Sequence, residues 1–205
     1  PEGVTPQNLH KFTHYEVLGF PGELGDSADV EAIKKAYHKA VLMYHPDKAP
    51  FQDKHGNEDR SVFLKIQEAF KVLCSEPLRR AYDSQLPFDD AIPNEEITDK
   101  FLAKGPHKFF KLYGPIFKRN ARWSTTKPVP ELGNLETPLN DVLDFYSFWN
   151  KFESWRDYMG KDCDNRPEDA GDRAERRYLE KENIKKAVKM KAREMQRIID
   201  LVTLA

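Results

Sequence analysis

The sequence predicts an all-α protein: a first helical module, a small second helical domain and a long charged helix. Apolar residues recur at the three-to-four-residue spacing of a buried helix face around 33–44, 62–73, 145–155 and 184–202. Charged residues make up 33% of the 205 positions, beside 39% hydrophobic ones, a ratio suited to charge-laced helices around modest cores. Net charge is only −1, yet the charge is blocked along the chain rather than mixed.

Residues 1–11 form an N-terminal segment. In HYEVLGF (14–20), Tyr15 and Leu18 share one side of a short helix that Gly19 and Pro21 stop. Asp26 or Ser27 is placed to cap the next helix, with Asp29 and Glu31 in its first turn, where negative charge suits the helix dipole. Ile33, Ala36, Tyr37, Ala40 and Tyr44 define its buried stripe, and Lys34, Lys35, His38 and Lys39 fall on the other side. Pro46 cannot continue this helix, so it ends near Tyr44 or His45. After a polar stretch, Phe63, Ile66, Phe70 and Leu73, flanked by Val62 and Ala69, mark a second amphipathic helix. The two stripes need the same partner, so this helix is expected to return antiparallel. That leaves His45, Pro46 and Asp47 at the tip of the connecting loop. In SEPLRRAYD (75–83), Ser75 caps a last short helix, Pro77 sits in its first turn, and Leu78, Ala81 and Tyr82 face inward.

A short helix with YEVLG, a basic helix ending in YHPDK, an apolar return helix and RRAYD resemble, in that order, the J domain of the DnaJ family over about 12–86. The resemblance implies that His45, Pro46 and Asp47 trigger ATP hydrolysis in a DnaK-type heat-shock chaperone. It implies further that Lys34, Lys35, His38 and Lys39 form the docking face. Physical chemistry agrees: Asp47 can pair with an arginine of the partner, Pro46 fixes the loop, and the basic groups steer toward an acidic surface. His38 and Met43 stand where many family members carry Lys or Arg, a departure that tunes or weakens docking.

Residues 87–102 read as an acidic connector, and 103–205 as a helical domain. The second half lacks the Gly/Phe-rich linker and the cysteine repeats of generalist DnaJ chaperones. Residues 103–127 contain no Asp or Glu but carry seven bases: Lys104, Lys108, Lys111, Lys118, Arg119, Arg122 and Lys127. Phe109, Phe110, Tyr113, Phe117 and Trp123 are interleaved with them. Residues 131–169 reverse the sign, with ten acidic side chains against four basic. Within that block, 144–158 is expected to be a helix with Phe145, Phe148, Trp149, Phe152 and Trp155 on one core-forming face. The last stretch, 172–202, is a long helix on which Ile184, Val188, Ala192, Met195, Ile199 and Val202 line one side. Arg173, Arg176, Arg177, Lys181, Lys185, Lys186, Lys189, Lys191, Arg193 and Arg197 cover most of the rest. Basic, aromatic-studded segments of this kind are the footprint of a phosphate-backbone binder, with an ordinary solvated helix surface as the alternative.

The run FFKLYGPIFKRNARW, followed by DFYSFWNKFESWRDY and RAERRYLEKEN, resembles the zuotin-type J proteins across about 87–205. That resemblance implies a cytoplasmic, ribosome-associated co-chaperone acting on nascent chains. The implied partners are a DnaK-type chaperone, the atypical DnaK-type subunit of the ribosome-associated complex, and large-subunit rRNA and proteins near the exit tunnel. Two other readings stay open: a second domain that binds a protein client, or a nuclear J protein that binds DNA or chromatin.

Enzymatic chemistry is not expected. His45 has no nucleophile arrangement around it, the six histidines show no ligand spacing, and there is no phosphate-binding loop, so no catalytic residue, metal or cofactor is expected. Two cysteines, Cys74 and Cys163, are too few for a disulfide framework and point to a reducing compartment. No apolar run reaches membrane-spanning length, so no membrane partner is expected. The opening residue is Pro1 rather than a methionine, the mark expected of an excerpt from a longer chain.

Overall fold

A computed structural model describes residues 3–21, 28–45, 47, 59–93, 105–159 and 167–205. The described residues are helical apart from turns, extended connections and one isolated bridge between Ser124 and Ser154. They divide into two compact units, Pro1–Asp83 and Ser84–Ala205.

The first unit starts from a helix of one turn, α1 (His14–Val17). So short a helix needs help at its ends. Thr13 and Glu16 supply a reciprocal capping box at its start, and Gly19 leaves it with a φ of 91°. Its buried Tyr15 donates a hydrogen bond to Asp83 Oδ1 at 2.7 Å and accepts one from Arg79 Nε at 2.9 Å. Burial, reinforced by Asp83, raises the pKa of that phenol, so it stays a donor. These bonds tie α1 to α4 (Glu76–Gln85).

Between them lies the hairpin of α2 (Val30–Tyr44) and α3 (Ser61–Cys74). Ile33 and Ala40 of α2, and Val62, Ile66, Ala69 and Leu73 of α3, are buried. Tyr37 stacks on Phe70 at 4.0 Å and His45 meets Phe63 edge-on at 5.9 Å, so partner numbers fall along α3 as they rise along α2. The hairpin is antiparallel. Asp29 caps α2, its Oδ1 accepting from the Ala32 N–H at 2.6 Å. It takes the role expected of Asp26 or Ser27, both of which lie outside the described residues. Leu78 also departs from expectation: it is exposed, because the inner side of α4 is taken by Tyr82 and Asp83.

The second unit is built on α5 (His107–Ala121), α6 (Leu139–Asn150) and α7 (Arg173–Leu204). Tyr113, Ile116 and Phe117 of α5 pack with Phe145 and Trp149 of α6 and with Ile198, Leu201 and Val202 of α7. Phe117 meets both Phe145 and Trp149 edge-on with centroids 4.8 Å apart, and Trp149 stacks on Phe152 at the same distance.

Three expectations need correction. The helix expected over 144–158 ends at Asn150, and Phe152 and Trp155 come from an extended segment beyond it. That segment is held by Thr125 N–H to the Glu153 carbonyl (2.9 Å) and Trp155 N–H to the Trp123 carbonyl (2.8 Å). The described part of the expected acidic connector, 87–93, is built into the second unit: Phe88 and Ile92 pack on its core, and Asp90 pairs with Arg156 and Arg197. On α7, the buried residues are Glu194, Ile198, Leu201 and Val202, whereas Ile184, Val188 and Ile199 of the expected stripe are exposed. The core reaches only the last third of that helix.

Two outcomes follow. Burial, helped by the nearby Lys65, lowers the pKa of His14 from 6.5 to about 4, where its ring stacks on Tyr82 at 4.3 Å. Its neutral form is therefore the native one; its contribution is complete above pH 6.5 and is lost as pH falls toward 4. The first unit should lose about 2 kcal/mol between pH 7 and pH 5 from this group, and His14→Phe should remove most of that slope in denaturant titrations. Trp149→Ala should cost the second unit about 3–5 kcal/mol. All three tryptophans, Trp123, Trp149 and Trp155, lie in that unit, so indole emission from the remaining two reports its unfolding alone.

Candidate functional site

In the first unit, the candidate site begins where α2 stops. His45 is the C-terminal cap, with φ −62° and ψ 137°, the extended conformation favoured for a residue that precedes a proline. Pro46 itself lies outside the described residues. The Asp47 N–H donates to His45 Nδ1 at 3.2 Å. That bond assigns the neutral ring's proton to Nε2 and leaves Nε2–H as a donor. The Asp47 carboxylate is the most exposed group here, 91% accessible, and the His45 side chain is 46% accessible. Phe63 backs the imidazole from α3, a support that its place in an apolar stripe did not single out.

Lys34, Lys35, His38 and Lys39 are all exposed along α2, opposite Ile33 and Ala40. Glu31 partly neutralises Lys34: its carboxylate lies 2.8 Å from the ammonium and raises the lysine's pKa by hydrogen bonding. Lys35 and Lys39, one turn apart, have no ion pair among the described residues. Leu42 and Met43 are exposed between this face and the tip. The arrangement offers a carboxylate, an imidazole donor and a cationic approach at one helix end.

In the second unit the basic residues separate into two groups. Lys108, Lys111 and Lys118 recur on the α5 face opposite buried Tyr113, Ile116, Phe117 and Asn120, and all three are exposed. Lys127 is exposed beyond the helix, and Lys104 lies outside the described residues. On α7, Arg173, Arg176, Arg177, Lys181, Lys185, Lys186, Lys189 and Arg193 are exposed. Two of these are engaged locally, Arg176 with Glu180 at 3.0 Å and Lys185 with Glu182 at 2.7 Å.

The other group is engaged within the fold. Arg119 donates to the Asp89 carboxylate and to the Ala91 carbonyl. The Arg122 guanidinium lies over the Trp123 ring, 4.7 Å from its centroid. Arg197 donates to Asn120 Oδ1 at 2.8 Å and pairs with Asp90 Oδ1 at 3.1 Å. Arg119, Arg122 and Arg197 thus hold the fold, each guanidinium engaged by at least one intramolecular acceptor or ring. Arg156, which sequence reasoning passed over, is 2% exposed and pairs with Asp90 at 2.8 Å. Its only sequence signal was a base set between Trp155 and Tyr158 in a predominantly acidic block.

Among the described residues there is no cluster of His, Cys, Asp or Glu able to hold a metal ion. No described helix is long and apolar enough to cross a membrane.

Comparison with known proteins places residues 13–83 in the family described as the DnaJ domain and residues 108–205 in that described as Zuotin-like, zuotin homology domain. The chain is 39% identical to DnaJ homolog subfamily C member 2 of Danio rerio over 204 residues, covering 98% of this chain and 32% of that protein. It is 38% identical to Zuotin of Schizosaccharomyces pombe over 203 residues, covering 98% and 43%. The chain therefore spans less than half the length of these curated relatives.

Proposed function

We propose that this chain, which matches both the DnaJ domain and the zuotin homology domain, acts as a ribosome-associated co-chaperone. In this reading the first unit docks on the ATP state of a DnaK-type chaperone through Lys35, Lys39, Lys34 and His38. His45, Pro46 and Asp47 then trigger hydrolysis, so that the partner closes on a nascent chain. The protein itself does no covalent chemistry. Its contribution is a preorganised polar tip: Asp47 offers two carboxylate oxygens to a partner arginine, and His45 Nε2–H offers a donor beside it. The lysines act earlier, raising the encounter rate with an acidic surface.

The second unit anchors the protein in the cytoplasm to large-subunit rRNA near the exit tunnel. There it works beside the atypical DnaK-type subunit of the ribosome-associated complex. The observation that carries this reading is the α5 stripe. Lys108, Lys111 and Lys118 stand exposed on one face of a helix whose opposite face is locked in the aromatic core. Cations held on a rigid rod match regularly spaced phosphates, and releasing counterions from those phosphates drives binding.

His45→Gln should reduce ATPase stimulation of a cognate DnaK-type chaperone to the basal rate in single-turnover hydrolysis, with far-UV circular dichroism unchanged. Full stimulation by the variant would remove the trigger role. Replacing Lys108, Lys111 and Lys118 by Ala should weaken co-sedimentation with purified ribosomes and leave that stimulation intact in free solution. The log–log salt dependence should flatten by about 0.7–0.9 for each phosphate that is no longer neutralised. Unchanged sedimentation at every salt concentration would clear this stripe of the anchoring role.

A further inference from the structure

An aliphatic line along α7 is left unused by the second unit's own core. Val202 is buried, but the line continues through Ile199, Val188 and Ile184, which are 44%, 63% and 50% exposed. Successive offsets of three, four, three, four and four residues, with Met195 and Ala192 between Ile199 and Val188, keep these side chains on one face. A phosphate backbone has no use for such a line, and scattered aliphatic side chains would not keep helical register. The stripe therefore extends the packing seam of the core past the point where the unit itself covers it.

Charge says what would cover it. Lys185 and Lys189 border the exposed stripe on one edge, and Lys181 and Arg177 continue its line toward the start of α7; all four are exposed. Glu182 neutralises Lys185, while Lys181, Lys189 and Arg177 have no ion pair among the described residues. An aliphatic seam edged with cations is complementary to a helix with aliphatic residues at heptad spacing and Glu or Asp beside them. We infer that the Ile184–Val188–Ile199 face of α7 docks an acidic amphipathic helix of a protein partner. The rRNA contact then rests on α5 and on the α7 cations away from the seam, such as Lys186 and Arg193. This inference does not depend on the ribosomal reading, because it concerns a different face and a different class of ligand.

The test uses the whole chain, methyl-labelled at Ile, Val and Met, and a short synthetic helical peptide with Leu at heptad positions and Glu on its flanks. A peptide with Lys in place of Glu is the control. The acidic peptide should shift the methyl signals of Ile184, Val188 and Ile199 but leave buried Ile198 unmoved, and the control should shift none. Val188→Asp, a change at an exposed position, should weaken the acidic peptide at least about tenfold, the loss expected of one apolar anchor. Equal affinity for both peptides, or no response to Val188→Asp, overturns the proposal. Concentration-dependent growth in mass by light scattering, abolished by Val188→Asp, would make a second copy the occupant instead. Loss of duplex RNA binding in the same variant would assign the stripe to nucleic acid, which also overturns it.

Discussion

The second unit hangs on one buried guanidinium. A charge removed from water is costly unless it is paired and hydrogen-bonded, and Arg156 is only 2% exposed. Asp90 meets it at 2.8 Å, Glu194 approaches to 4.0 Å, and the rings of Phe88, Trp123 and Tyr158 lie 4.8–5.2 Å from it. Four stretches of the chain, 88–90, Trp123, 156–158 and α7, supply these groups and converge on it. Lys191 strengthens the junction by donating to the Ser154 and Arg156 carbonyls at 2.7 and 3.0 Å. Arg197 shares Asp90 with Arg156. Two carboxylates thus serve three cations, and their arrangement fixes where the packed end of α7 must lie.

The same constraint sorts the basic residues by use. Cations whose carboxylate or ring partners are supplied by the fold are spent on holding it. Those opposite a buried face have nowhere to turn but solvent. Both units follow that rule: Lys35 and Lys39 stand opposite Ile33 and Ala40, and Lys111 and Lys118 stand opposite Tyr113 and Phe117. In each case an apolar core makes a helix rigid, and rigidity holds charges at fixed spacing.

Local pattern and long-range pairing were unequally legible in the sequence. The α2–α3 hairpin could be read because each stripe repeats over several turns and Pro46 enforces a stop. The aromatic core was also legible, since Phe145 and Trp149 sit one turn apart. The end of α6 was not: Phe152 and Trp155 continue helical spacing by chance, and the bonds that fix them run to residues near 124, beyond any local window. The inward turn of Arg119 and Arg197 was hidden for the same reason, because their partners lie 28–30 and 77–107 residues away. On α7 an unbroken aliphatic line implied a single buried face. The structure buries a neighbouring face instead, because the ion network at Glu194 sets the rotation of the helix about its axis.

The length of α7 has a mechanical consequence. Its 32 residues span about 48 Å, and its buried side chains all fall within the last third. A rod gripped at one end is a lever. A tilt of about 5° at the gripped end displaces a point about 30 Å away, some twenty residues along the helix, by about 3 Å. Small readjustments among Asp90, Arg156 and Glu194 would be magnified into a displacement comparable to a hydrogen-bond length. The first turns of the helix would therefore move most when that junction shifts.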